Sequence, residues 1–66
     1  MTTTIQAEAL RQDRIYISIK QEKFSPLYIV TEAQKDNYNL YPISVNTYST
    51  LEKARRRYNE LRKKYK

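Results

Sequence analysis

The chain has 66 residues, a formal net charge of +6, and no cysteine, histidine or glycine. A chain this short builds one small core and buries only about 60% of the surface that its unfolded form exposes. Without thiol and imidazole groups a disulfide framework is excluded and a metal would have to bind carboxylates alone, so we expect no metal and no cofactor.

The residue inventory also argues against catalysis and against a membrane. The usual general bases and soft nucleophiles are absent, and the 7 acidic residues show no spacing typical of a catalytic pair. No apolar run approaches the roughly 18 residues that span a bilayer, and the N-terminus lacks the pattern of a signal peptide. We therefore expect a cytoplasmic, non-enzymatic protein with neither a small-molecule substrate nor a membrane partner.

Residues 1–12 carry only a weak pattern. Thr3 to Gln6 fits a capping box, and good helix formers follow as far as Arg11, which favours a short helix. A disordered tail is the alternative, since terminal residues are poorly ordered unless something ties them down. We expect residues 13–66 to form a single small α+β domain.

Two strands are predicted next. Ile15, Ile17 and Ile19 alternate with polar residues, which indicates a strand with its isoleucines inward. The second strand, Leu27–Lys35, begins with four apolar residues and therefore has apolar side chains on both faces. This favours the middle of a sheet whose second face is covered by the N-terminal segment or by a second copy of the chain.

A turn at Asp36-Asn37 leads into a third predicted strand, Tyr38–Val45. Asn and Asp tolerate the left-handed backbone that tight turns need in a chain without glycine. Tyr41, Ile43 and Val45 are expected to share one face of this strand. Pro42 cannot donate to a strand ladder, so the strand is predicted at an edge of the sheet.

The C-terminal stretch from Ser49 to Lys66 predicts an amphipathic helix. Ser49 and Glu52 fit a capping box, and apolar residues then recur every three or four positions: Leu51, Ala54, Tyr58, Leu61 and Tyr65. The predicted fold is a three-stranded antiparallel meander with this helix on one face, in the α+β class. That order is similar in outline to small DNA-binding domains of phage-type integrases and some plant transcription factors, with no shared motif that assigns residues.

Positive charge is concentrated in this helix. From Ser49 onward eight basic residues face two acidic ones, whereas residues 1–48 balance five of each. A localised excess of this kind is typical of a surface that meets nucleic acid, DNA or RNA, although a solvated helix face is the alternative. The residues predicted to contact phosphates are Arg55, Arg56, Arg57, Arg62, Lys63 and Lys64.

The 7 tyrosines are the second unusual feature. Tyr58 and Tyr65 fall on the apolar stripe of the helix and are expected in the core. Tyr16 and Tyr28 are expected near Lys20 on the sheet face away from the helix, where aromatic rings could stack unpaired bases. The same surface could instead hold a protein partner, in a homodimer or in a small inhibitor or adaptor protein.

Overall fold

The computed structural model of the chain describes residues 2–24 and 26–65. It has strands β1 (Thr2–Leu10), β2 (Ile15–Glu22), β3 (Tyr28–Asp36) and β4 (Asn39–Tyr48), followed by helix α1 (Leu51–Tyr65). Each strand pairs antiparallel with the next, so the four form one sheet in the order β1-β2-β3-β4. The α+β class and the C-terminal helix are confirmed, whereas the predicted number of three strands is wrong.

The extra strand comes from the N-terminal segment, which we expected to be a tail or a short helix. β1 pairs with β2 from Thr2 opposite Glu22 to Leu10 opposite Ile15. This pairing satisfies backbone groups along one side of β1, and Ile5 and Leu10 pack against the core, so tertiary contacts override the local helix propensity. The fourth strand also removes the likeness in element order to three-stranded DNA-binding domains. Met1 lies outside the described residues.

The core lies between α1 and one face of the sheet. Its buried members are at most 1% exposed, and they are Ile17, Ile19 and Val30 from the sheet and Ala54, Tyr58 and Leu61 from the helix. Ile15 packs beside them, so the inward isoleucines of β2 and the apolar stripe of α1 are confirmed. We call this side of the sheet the helix face and the opposite side the open face.

β4 is an edge strand, as Pro42 predicted, and β3 lies between β2 and β4. Glu32 pairs with Ser44 while the next residue of β3 pairs with Pro42, so Ile43 is the extra residue of a β-bulge. The bulge reverses the alternation of side chains along β4. Tyr41 therefore lies on the helix face and Val45 on the open face, and the expectation that they share a face with Ile43 is wrong.

Two tight turns at one end of the sheet use left-handed backbone without glycine. Asn37 has φ 53°, which confirms the predicted turn between β3 and β4. The turn between β1 and β2 places Arg11, Gln12 and Asp13 at φ 55°, 57° and 68°. Asp13 in turn forms an ion pair with Lys35, at 2.8 Å, which ties this turn to β3.

The helix begins one residue later than the sequence predicted. The amide of Lys53 donates to Thr50 Oγ1 at 3.3 Å, so Thr50 is the N-cap residue rather than Ser49. Glu52 is then the second helical residue, and the predicted capping box between Ser49 and Glu52 is wrong. The helix has 15 residues, and no helix of the described part of the chain is long and apolar enough to cross a membrane.

Replacing Thr50 by alanine is expected to lower the free energy of unfolding by about 1 kcal/mol, because the Lys53 amide loses its acceptor. The matched change Ser49→Ala is expected to shift it by less than about 0.5 kcal/mol, as for other surface sites without a structural role. Urea unfolding followed by circular dichroism measures both. Equal losses in the two variants would contradict the assignment of Thr50 as the cap.

Candidate nucleic-acid interface

The candidate interface is built on α1, whose packing decides where its cations lie. Ala54, Tyr58 and Leu61 face the sheet, which leaves the two flanks and the outer side of the helix to its charged residues. Arg62 and Lys64 lie near the C-terminal end, where positive charge interacts favourably with the helix dipole. The position of each cation around the helix then determines whether it meets the sheet or solvent.

Two of the predicted helix cations are held by carboxylates of the sheet. Arg62 Nε lies 2.7 Å from Glu8 Oε1 on β1, and Lys64 Nζ lies 3.1 Å from Glu32 Oε2 on β3. These pairs lie on opposite flanks of α1 and connect it to strands on both sides of β2. Arg62 and Lys64 are therefore engaged within the fold and are less available to an external anion than their charge suggests.

Two further cations pair along the helix itself. Arg57 NH1 lies 3.4 Å from Glu60 Oε2, with the Arg57 side chain 31% exposed. Arg56 NH2 lies 3.9 Å from Glu52 Oε1, and both side chains are more than two thirds exposed. An exposed pair at that distance contributes little energy, so Arg56 can exchange Glu52 for another anion.

Glu32 is the centre of a buried polar network on the helix face. Its side chain is only 2% exposed. Ser44 Oγ donates to Glu32 Oε1 at 2.8 Å, and Lys64 Nζ and the Tyr65 hydroxyl both donate to Glu32 Oε2. Burial raises the pKa of Glu32, but the hydrogen bonds from Tyr65, Ser44 and Lys64 together outweigh it, so the net pKa lies below the ordinary value.

The partners of Glu32 respond in the opposite direction. The hydrogen bond to Glu32 is the main cause that raises the pKa of Lys64, and it likewise raises the pKa of Tyr65. Both groups therefore remain protonated donors at neutral pH. The network stabilises the docking of the last helical turn on the sheet.

Tyr58 carries a second buried polar group in the core. Its hydroxyl is buried and makes no hydrogen bond of normal geometry within the described residues, although the Glu8 carboxylate is near. Burial first, and then the Glu8 carboxylate, raises the pKa of Tyr58 well above its ordinary value. The ring fills the core while the hydroxyl adds little that stabilises it.

Three cations with a weak ion pair or none lie on the outer side of α1. At about 100° per residue, Lys53, Arg56 and Lys63 fall within an arc of about 80° opposite the buried stripe, and we call them the outer cation row. Lys53, Lys63 and the flanking Arg55 make no ion pair within the described residues. Glu60 lies in the same arc, where it pairs with Arg57.

The structure divides the predicted site residues between surfaces that cannot act together. Tyr16 and Lys20 alternate with the inward isoleucines of β2. They therefore lie on the open face, on the side of the sheet away from α1. Tyr28 pairs with Tyr48 and packs against the core on the helix face. The expectation that Tyr28 joins Tyr16 and Lys20 on one surface is wrong.

Arg11 is a residue with a structural role that the sequence did not reveal. Its guanidinium donates to the backbone carbonyls of Tyr65, at 3.0 Å, and Lys64, at 3.4 Å, and its Cζ lies 5.9 Å from the centre of the Tyr65 ring. It thereby caps the C-terminal end of α1 from the β1–β2 turn. No local sequence signal links residues 54 positions apart. In the described part of the chain, no group of three or more carboxylates is placed to hold a metal.

Comparison with known proteins adds no relative. No protein-family model matches the chain, and no curated protein and no solved structure matches it significantly. The functional assignment therefore depends on the charge, exposure and position of the chain's own side chains.

Proposed function

We propose that the chain binds a polyanion, that this polyanion is a nucleic acid, and that the outer side of α1 makes the contact. The observation that supports this proposal is the outer cation row, in which Lys53, Arg56 and Lys63 are exposed and carry no strong internal ion pair. The rest of the positive helix is partly neutralised by Glu8, Glu32 and Glu60.

The geometry favours an extended anion over a small one. Lys53 and Lys63 are ten positions apart, so the row is about 15 Å long at 1.5 Å per residue. Lys53 and Arg56 border one shallow depression beside Tyr48, and Lys63 lies outside it, so a small anion there would not reach the whole row. Duplex DNA carries about one negative charge per 1.7 Å of axis, so a row of this length meets several phosphates.

The proposal narrows the predicted set of phosphate contacts. We assign the main phosphate contacts to Lys53, Arg55, Arg56 and Lys63. The other three cations remain in their ion pairs and add only to the positive electrostatic potential around the helix: Arg57, Arg62 and Lys64. Tyr16 and Lys20 lie on the other side of the sheet and are not part of this contact.

The test is fluorescence anisotropy of labelled duplex DNA, single-stranded DNA and RNA, titrated with the protein at about 50 and 200 mM salt. We expect binding that weakens steeply with salt. The triple change Lys53→Ala, Arg56→Ala and Lys63→Ala is expected to reduce the salt slope for duplex DNA by about 2.7, since each phosphate contact contributes about 0.9.

The matched control removes three cations elsewhere, through Arg14→Ala, Lys20→Ala and Lys23→Ala, and so makes the same change in net charge. We expect the control to keep most of the salt slope. Equal losses in both triple variants would show that binding follows net charge rather than α1. A wild-type chain that binds none of the three probes at micromolar concentration in about 50 mM salt would overturn the proposal.

A further inference from the structure

The open face of the sheet has no second layer among the described residues. The N-terminal segment was one of two candidates to cover it, and that segment is instead strand β1. Val45 on this face is 57% exposed, and nearby Leu40 is 50% exposed. Isolated exposed apolar residues need no explanation, but a continuous sheet face with apolar and small side chains indicates a binding surface.

We propose that the open face binds the open face of a second copy, through a two-fold axis that runs parallel to the strands between β2 and β3. Two sheets that pack face to face lie about 10 Å apart with strands aligned to within about 30°. The proposed axis places β1 of each copy over β4 of the other, and β2 over β3. Rotation about this axis leaves positions along the strand direction unchanged. Each row of side chains across the sheet therefore lies over the same row of the second copy, in reverse order.

The middle row fits this arrangement. In register across the sheet it reads Ala7, Ser18, Thr31 and Val45. Reversed in the second copy, the exposed Val45 lies over the small Ala7 at both ends of the row. Large side chains packed over small ones give the interdigitation that a dry interface needs.

The row nearer the β1–β2 turn has the same reciprocal pattern. It reads Ala9, Tyr16, Ala33 and Pro42. The proposed axis places Tyr16 of one copy over Ala33 of the other, and Pro42 over Ala9. A two-fold axis perpendicular to the strands would instead place β4 over β4, so that the bulky Val45 and Pro42 face each other or one of them faces its own image.

Ser18 lies at the centre of this face. Its side chain alternates with the inward isoleucines, is fully buried within its own chain, and leaves Oγ without a hydrogen-bond partner within the described residues. Because its own neighbours already enclose it, a second copy does not reach this hydroxyl. The contacts of the proposed dimer therefore come from the exposed side chains around it, Ala7, Ala9, Pro42 and Val45.

Charge and size are compatible with self-association. The middle row and the rows on either side of it carry one cation, Lys20, and no carboxylate. The next rows add Lys35, which pairs with Asp13, and Glu22, so two copies meet there without strong repulsion. The +6 charge of each chain lies mainly on α1, which stays on the outer side of each copy. The longer dimensions of the chain, 32 and 24 Å, limit the face to less than the roughly 800 Å² per partner of a standard interface, which is the size of a weaker, concentration-dependent dimer.

The chain has no cysteine, so introduced thiols report the geometry directly. Ala7→Cys and Val45→Cys variants are mixed under mild oxidation. We expect a disulfide-linked dimer in the mixture and little in either variant alone, because like positions lie several strands apart across the two-fold axis and only closely placed cysteines can bridge. Cross-linking of Val45→Cys with itself would indicate the perpendicular axis and overturn the proposal.

Sedimentation equilibrium of the full chain tests association itself. We expect a concentration-dependent dimer, with a dissociation constant that rises about tenfold or more for Val45→Glu, which places a carboxylate over Ala7 of the second copy. The control Asn59→Glu puts the same charge on the exposed part of α1 and is expected to leave the constant unchanged. A wild-type chain that remains monomeric at about 100 μM would overturn the proposal, because this concentration reveals even weak dimers. The proposal would then be wrong even if the open face bound a different protein.

Discussion

Replacing Glu32 by glutamine is expected to lower the free energy of unfolding by about 2 to 4 kcal/mol, since hydrogen bonds to a charged group contribute about 1.5 to 3 kcal/mol each and are partly retained. The side chain is 2% exposed, so water cannot replace the lost contacts. Glutamine has nearly the same volume, but its amide group presents N–H donors toward a site where Ser44, Lys64 and Tyr65 already donate. Urea unfolding measures the loss.

The same variant tests the pH dependence of stability. Because the pKa of Glu32 is lower in the folded state than its ordinary value of 4.5, its ionisation stabilises the fold above that value. This contribution is lost as the pH falls through the lower, folded pKa. The difference in unfolding free energy between wild type and Glu32→Gln is therefore expected to be full at neutral pH and to shrink in acid.

The matched control is Glu22→Gln, which removes an exposed carboxylate at the end of β2. We expect a change below about 0.5 kcal/mol for this surface position, at neutral and acid pH alike. A Glu32→Gln loss that stays constant from neutral pH into acid would mean that the Glu32 carboxylate is not stabilised by folding.

The helix and the strand order after residue 13 were predictable because their signals are local. The stripe from Leu51 to Tyr65 repeats at helical spacing, and the isoleucines of β2 alternate, so each element shows its buried side in its own sequence. Strand β1 was missed for the converse reason. Gln6 to Leu10 has good helix formers, and only pairing with β2 makes it a strand.

The charge of the candidate site was predictable, but the availability of each cation was not. The sequence places the +6 excess on the helix. It does not show that Arg62 meets Glu8, or that Lys64 meets Glu32, because those partners are distant in sequence. One sequence signal did indicate a partner for Glu32. Glu32 lies two residues after Val30 in a strand, so both side chains face the core, and a carboxylate that faces a small core requires hydrogen-bond donors.

The bulge at Ile43 had no comparable signal. A single extra residue reverses the faces of everything before it on the strand, so a prediction from alternation assigned Tyr41 and Val45 to one side. Its consequence is functional as well as structural, because it places both Pro42 and Val45 on the open face, where the proposed dimer uses them.

Replacing Tyr58 by alanine is expected to remove about 3 to 5 kcal/mol, the usual loss when a large aromatic side chain leaves a cavity in a core. Tyr58 is 1% exposed and is the largest fully buried side chain of the described residues. A domain of this size has a total stability of about 3 to 10 kcal/mol, so much of the population is expected to unfold. Circular dichroism at 25 °C and urea unfolding measure the effect.

Tyr58→Phe separates the ring from its hydroxyl. Because the hydroxyl is buried without an acceptor of normal geometry, its removal is expected to leave the unfolding free energy unchanged or to raise it by up to about 1 kcal/mol. The Arg62–Glu8 ion pair beside it does not involve the hydroxyl and is retained. A loss above about 1 kcal/mol would show that Tyr58 donates to Glu8 in solution, since that is the usual net contribution of one hydrogen bond.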